Sequence, residues 1–370
     1  MAVVMALSPY ADASPRPSAP DGANDDGGCL AGTDDEADAR DRVLMGGPTG
    51  KLGPQRGDFV PPDMLLIAYE NAWLGTVEAV AREAMPSTDV YVMVDPQDVH
   101  EQALVDWART LGVTLLGLEL DTPWVRDYGP LQRLAGQGRV VWLDFDYGPE
   151  RRLDDEVPLS LVSRFGVPVE RSSFSLDGGA LVSNGSGLCA MTDRSLEEAG
   201  VDFNDDEAVE SLLGTLGCEV MAALPDLPDE PTGHADMMVQ FVARDRAMVI
   251  ELDAADHPDE ALLLDMAARA ITLAARAAGQ SLKIIRIPAA YDDGDGTLFS
   301  YVNGTRLRDR YLSPSFTAVE PALAYRADSA LRSAMPGVTI VPIPSDDVLS
   351  SAGILHCITL GLSLPSARNH

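Results

Sequence analysis

Near the C-terminus, His356 and Cys357 stand side by side in the run SSAGILHCITLGL, which otherwise reads as a buried strand. A thiol becomes a nucleophile only when a neighbouring base, cation or polar pocket favours the thiolate. Cysteine is also among the most buried residue types, so Cys357 fits equally well as packing on a last strand. The choice depends on what the rest of the chain brings near that sulfur. Three other stretches, DTPWVRDYGP, LDGGALVSN and EPTGHADMMVQF, set Gly or Pro beside polar residues at the edge of a predicted strand. A rigid scaffold usually presents catalytic groups from such loops. In TGHADMM, His234 and Asp236 are one residue apart and on a strand would face the same side. A turn capped by His234 with a solvated Asp236 satisfies the same letters. H-x-D also occurs in metal sites, but no second group at ligand spacing accompanies it, so no metal is expected. In TPWVRDYGP, the ring of Trp124 and the carboxylate of Asp127 could hold a flat cation by cation–π attraction and a bidentate charge-assisted hydrogen bond. A local Arg126–Asp127 pair beside a half-buried Trp124 is the alternative.

These loops need a scaffold, and the chain has one. It holds 370 residues, 46% of them hydrophobic, with 58 acidic against 27 basic side chains and a formal net charge of −31. Such a surface repels phosphate backbones, so nucleic acid is a poor partner, while a cationic ligand is drawn in. No stretch approaches the roughly 20 apolar residues of a membrane span. The four cysteines, Cys29, Cys189, Cys218 and Cys357, are scattered with no CxxC pair. Neither a disulfide framework nor a zinc fold is expected from them, and the first three read as packing or tail. The N-terminal MAVVMALSPYADA lacks the positive region of a secretory signal; a cytoplasmic location is expected, with export through a weak or truncated signal as the alternative. Residues 1–58, rich in Pro, Gly, Asp, Ser and Ala, read as a disordered leader, and residues 59–370 as one domain. From DMLLIAY onward short β-rich runs alternate with amphipathic stretches such as AWLGTVEAVAREA and VHEQALVDWARTLG, with further helices near 205–217, 258–279 and 318–334. Strands outnumber helices, which suits an α/β protein built from repeated ββαβ-like units around an axis.

In this order and at these separations the segments resemble the agmatine deiminase and Porphyromonas-type peptidylarginine deiminase family of the guanidine-modifying superfamily. The resemblance rests on W-x-R-D-x-G-P at Trp124–Pro130, G-H-x-D at Gly233–Asp236, a Y-x-N segment ending at Asn303, and G-x-x-H-C-x-T at Gly353–Thr359. It implies a five-bladed α/β propeller, the pentein fold, and a hydrolysis without metal or cofactor that converts a guanidinium to a ureido group and ammonia. It makes Cys357 the nucleophile, His234 the general acid and base, Asp127 and Asp236 the clamps on the guanidinium nitrogens, and Trp124 and Asn303 part of the pocket. Elementary chemistry agrees: guanidinium is a poor electrophile, and flanking carboxylates localise its charge and hold its carbon opposite sulfur.

The chain departs from the family pattern at three places. Gly178, Gly179 and Ala180 stand where G-G-N is usual, Asp177 where agmatine deiminases tend to carry Glu, and SSAG replaces a run of glycines. Asp177 would then serve the charged end of the substrate or order the loop. Arg151 matches one of two arginines that the peptidyl type places for a substrate carboxylate, and Pro149 occupies the other position. The expected substrate is agmatine or a peptidyl or C-terminal arginine. An amidinotransferase of the same superfamily, or a guanidine-binding member with weak turnover, are the alternatives; the oligomeric state is left open.

Overall fold

The structure is a computed structural model that describes residues 43–47, 53–135, 139–202, 205–292, 294 and 296–365. Its organising feature is one strand pattern repeated five times: an antiparallel pair, then a helical crossover to a third strand parallel to the second. The units run Leu131–Ala135, Arg139–Asp146 and Val169–Ser175; Val182–Ser183, Leu188–Thr192 and Val220–Leu224; Val239–Ala243, Arg246–Glu251 and Lys283–Pro288; and Thr305–Arg306, Arg310–Ser315 and Thr339–Pro344. The fifth joins the ends of the chain. Thr359–Leu362 pairs antiparallel with Met64–Ala68, which runs parallel to Asp89–Val94, itself beside Thr114–Gly117. The repeat that the strand-rich alternation suggested is therefore present in topology although the sequence carries no literal repeat.

Local chemistry explains the elements. Strands such as MLLIA, LCAMT and VMAAL are buried along their whole length, as parallel strands covered by helices must be. The helix Asp206–Leu216 starts where the Asp205 carboxylate accepts from the amides of Glu207 and Ala208, both at 3.1 Å, and stops at Gly217 with φ +77°. In the longest helix, Pro258–Ala277, the buried residues Ala261, Leu264, Ala267, Ala270, Ile271, Ala274 and Ala275 form one stripe of small side chains. That stripe lets the helix lie close against Val220–Leu224 and Arg246–Glu251.

Two expectations need correction here. A domain boundary at residue 58 falls inside the fold. Val43–Met45 pairs antiparallel with Val220–Leu224, the Arg56 amide donates to the Gln132 carbonyl at 2.7 Å, and Arg56 and Gln55 are buried. Composition missed this because Pro, Gly and Asp dominate the segment and only two or three residues at a time are covered. Most of the leader, and Cys29 with it, lies outside the described residues. The second correction concerns Cys189 and Cys218, which form a disulfide with both sulfurs fully buried. They lie 29 residues apart, and the parallel register sets Cys189 opposite Met221, beside the turn that carries Cys218. Replacing both with Ser removes a covalent loop of that length from the unfolded chain. Loop-closure entropy predicts a loss of about 3–4 kcal/mol, to be read from urea denaturation with and without reductant. A loss below about 1 kcal/mol would show that packing alone holds the two strands.

Candidate active site

Each of the five units is entered through a polar loop, and those loops carry the residues picked out above. The Trp124–Tyr128 turn precedes Leu131–Ala135; Asp177 precedes Val182–Ser183; His234 and Asp236 precede Val239–Ala243; Asn303 precedes Thr305–Arg306; Cys357 precedes Thr359–Leu362. None of these groups sits on a strand. Ala235–Met237 is a single 3-10 turn after an extended His234, so strand alternation does not orient the pair. The turn is set by Glu230, whose carboxylate accepts from the Gly233 amide at 2.6 Å and the Thr232 hydroxyl at 2.8 Å, while Gly233 takes φ +66°. Likewise His356 and Cys357 occupy a turn, closed by the Thr359 hydroxyl donating to the Leu355 carbonyl at 2.8 Å. Strand reading failed at both places because side-chain hydrogen bonds to nearby backbone offered the chain an alternative to the ladder.

The side chains converge. His234 lies between two carboxylates, with Nε2 3.2 Å from Asp177 Oδ2 and Nδ1 3.5 Å from Asp127 Oδ1. The Gly179 amide donates to Asp127 Oδ1 at 3.2 Å. A Cβ placed on Gly179 would lie 2.7 Å from His234 Nδ1, 2.8 Å from Asp127 Oδ1 and 3.2 Å from Asp236 Oδ2, which brings three of the expected groups to one point. Asp236 is buried; its Oδ2 meets His356 Nδ1 at 2.7 Å and its Oδ1 has no hydrogen-bond partner among the described residues. Asn303 ties this group to the sulfur, with Nδ2 donating to the Asp236 carbonyl at 3.3 Å and Oδ1 accepting from the Cys357 thiol at 3.7 Å. The backbone closes the circle where the Arg126 amide donates to the Cys357 carbonyl at 3.1 Å.

Electrostatics follow from burying several acids together. Burial pushes the Cys357 thiol well up, and the charges of Asp236, Asp127 and Glu230 push it further, so sulfur rests as the thiol. Burial also raises Asp127, as do Asp177 and Asp236, against the opposing pull of His234. For His234 burial disfavours the charged ring, but Asp127, Asp177 and Asp236 outweigh it and push the pKa up to about 10. The resting cluster thus holds an imidazolium among carboxylates. Replacing Asp177 with Asn removes one anion beside the ring, so the imidazolium loses its proton at a lower pH. A ring titration by NMR checks this; an unmoved midpoint would show that Asp177 does not set it. The donor atoms of Asp127, Asp177 and His234 lie within 4.8 Å of one another, so these three could also hold a metal ion.

The remaining expected residues make contacts of their own. Trp124 is buried against Trp73 at 5.1 Å between ring centroids, and it packs so closely on Gly353 that a Cβ there would lie 2.3 Å from its ring. Arg151 lies over the face of Tyr147, 5.0 Å from its centroid, with Nη1 donating to the hydroxyl at 2.6 Å. Tyr147 in turn lies within the field of Asp127 and Asp177. Ala180 is buried on a 3-10 turn whose amide donates to the Asp177 carbonyl at 3.0 Å. Sequence reasoning missed Asp58, Glu230 and Tyr147. Glu230 had a signal in E-x-T-G before the histidine, whereas Asp58 had none.

Comparison with known proteins bears on this arrangement. The sequence profile described as Porphyromonas-type peptidyl-arginine deiminase matches residues 54–362. The agmatine deiminase of Ectopseudomonas mendocina is 25% identical over 284 residues, covering 67% of this chain and 76% of that protein. Among solved structures, the agmatine deiminase of Enterococcus faecalis superposes with a TM-score of 0.72 at 20% identity, over 88% of this chain and 97% of that one. The agmatine deiminase of Campylobacter jejuni gives 0.68 at 18% identity, over 83% and 95%. These two likenesses establish a shared α/β fold. With the profile spanning most of the chain, the protein belongs to the Porphyromonas-type peptidyl-arginine deiminase family.

Proposed function

We propose that this chain, a hydrolase of the deiminase type acting on C–N bonds, converts a guanidinium to a ureido group and ammonia through a thiouronium on Cys357. The observation that carries the reading is the delivery of Asp127, Asp177, His234, Asp236, Asn303 and Cys357 to one cluster from the entry loops of five separate units. We read the five units as blades about a common axis, which accounts for that convergence. A substrate guanidinium placed between Asp127 and Asp236 neutralises two of the charges that, together with burial, hold Cys357 as a thiol, so binding favours the thiolate and the thiol proton is released to solvent. Sulfur adds to the central carbon, and the imidazolium of His234 gives its proton to the departing nitrogen, which leaves as ammonia. His234, now neutral, deprotonates a water that adds to the thiouronium carbon. The C–S bond breaks, the thiolate is regenerated and the ureido product leaves.

The substrate class lies between two charged groups. The half-exposed Asp177 suits an amine at the far end of the substrate, whereas the fixed cation of Arg151 on Tyr147 suits a carboxylate. The deciding experiment measures ureido product and ammonia with agmatine, free arginine and peptides ending in arginine, for the native chain and for Arg151→Ala. Release of ammonia from at least one of them is expected. Formation of an adduct on sulfur with no free ammonia would favour transfer of the amidino group to an amine instead. The buried disulfide also bears on compartment. Such bonds persist in oxidising surroundings and are rare in the cytosol, so we favour an exported location over the cytoplasmic one.

A further inference from the structure

We propose that His356 is a positioning residue that fixes the Asp236 carboxylate for the cationic substrate, and that it is itself flanked by an ion pair, Asp58 and Arg126, behind the site. This rests on the function proposed above. Both atoms of contact are buried: His356 Nδ1 and Asp236 Oδ2 are 2.7 Å apart, in residues 2% and 1% exposed. With one oxygen pinned, the other, Oδ1, is a buried acceptor with no hydrogen-bond partner among the described residues. An unsatisfied charged oxygen inside a protein is costly, and a substrate N–H supplies what it lacks. The far side of the ring is equally constrained. Among the described residues His356 Nε2 makes no hydrogen bond but lies 3.7 Å from Asp58 Oδ2, and Asp58 Oδ1 accepts from the Arg126 guanidinium at 3.2 Å. A cavity of ≈ 10 Å³ opens at this point, lined in part by Arg56, Asp58, Arg126, Arg306 and His356. That is about the space of one water.

The same elements also hold the nucleophile. His356 is joined to Cys357, its amide donates to Asn303 Oδ1 at 3.1 Å, and Arg126, joined to Asp127, donates its amide to the Cys357 carbonyl at 3.1 Å. A shift of the imidazole would therefore move one clamp relative to the other and to sulfur. Without its partner, Asp236 is left with two unpaired oxygens and is free to turn.

The test compares His356→Asn, which keeps a donor near the Nδ1 position, with His356→Leu and His356→Gln, which do not. Two readouts are taken on the full chain: KM and kcat on the guanidine the native chain prefers, and the ratio of Cys357 alkylation rates by cationic chloroacetamidine and neutral chloroacetamide. For Leu and Gln we expect KM to rise about tenfold or more, and the preference for the cationic reagent to fall by a similar factor. His356→Asn should restore most of both. An unchanged preference in the Gln variant overturns the proposal, as does an Asn variant as impaired as the Leu one. Should the Leu variant fail to fold, the Gln and Asn pair carries the comparison alone. If the native chain releases no ammonia from any guanidine, the proposed function fails, while the alkylation ratio still decides the role of His356.

Discussion

Cys357→Ala yields no ureido product, a loss on the order of 10⁴-fold or more in kcat, as expected when the proposed covalent nucleophile is removed. The variant keeps its fold. The thiol contributes one weak 3.7 Å hydrogen bond to Asn303 Oδ1, and the surrounding turn is held by backbone bonds and by Thr359 rather than by sulfur. It also keeps its affinity for guanidines, because the proposed clamps Asp127 and Asp236 are untouched and no longer share their field with a titratable sulfur. Calorimetry with the substrate measures that binding, and intact-mass analysis of the native chain, quenched during turnover, supplies the positive counterpart. The native protein gains the mass of substrate less ammonia; the variant gains nothing. Cys357→Ser follows the alanine variant, since a hydroxyl in this burial gives up its proton far less readily than a thiol. Residual turnover within tenfold of the native rate would remove Cys357 from the reaction and leave the cluster as a binding site.

How much of this was legible before the structure depends on which forces leave a local trace. The helices at 206–216, 258–277 and 321–334 stood out because an amphipathic stripe repeats within the chain's own neighbourhood. The loops carrying Asp127, His234, Asp236, Asn303 and Cys357 stood out because Gly, Pro and polar residues interrupt otherwise apolar runs. What stayed hidden was set by distant partners. Asp58 looks like one more acid in an acidic leader until Arg126, 68 positions away, meets it. Cys189 and Cys218 look unrelated until two parallel strands bring them together. The orientation of the His234–Asp236 pair could not come from strand alternation, because Glu230 and Thr232 bend that backbone into a 3-10 turn. The absent family Asn at Ala180 has a consequence only visible in three dimensions. The turn there is held by the Ala180 amide on the Asp177 carbonyl and the Gly179 amide on Asp127 Oδ1, with the adjacent glycines taking the close contacts.

Those glycines give the second large effect. Gly179→Ala abolishes most activity, by at least about 10²-fold in kcat/KM, although it adds only a single methyl group. The new carbon would stand 2.7 Å from His234 Nδ1, 2.8 Å from Asp127 Oδ1 and 3.2 Å from Asp236 Oδ2. Real Cβ atoms do not approach polar atoms so closely, so either the imidazole and the carboxylate move or the 3-10 turn at Gly178–Ala180 does. The turn has little freedom. A Cβ on Gly178 would already lie 2.1 Å from the Arg126 carbonyl oxygen, and the Gly179 amide is committed to Asp127. The side chains therefore yield, and a displacement near 1 Å of an acid–base group or a substrate clamp is worth about 10²-fold in rate. Stability falls less, by about 1–3 kcal/mol for crowding a packed site, so a folded but inactive protein is expected by circular dichroism and activity together. Gly75→Ala provides the control: it lies in the helix Leu74–Ala84 with nothing within 4 Å of its added carbon, and should leave activity unchanged while adding slightly to stability. A Gly179→Ala enzyme with native kcat/KM would mean that His234 and Asp127 are not gathered around this backbone in the working protein, and the proposed clamp would lose its geometric basis.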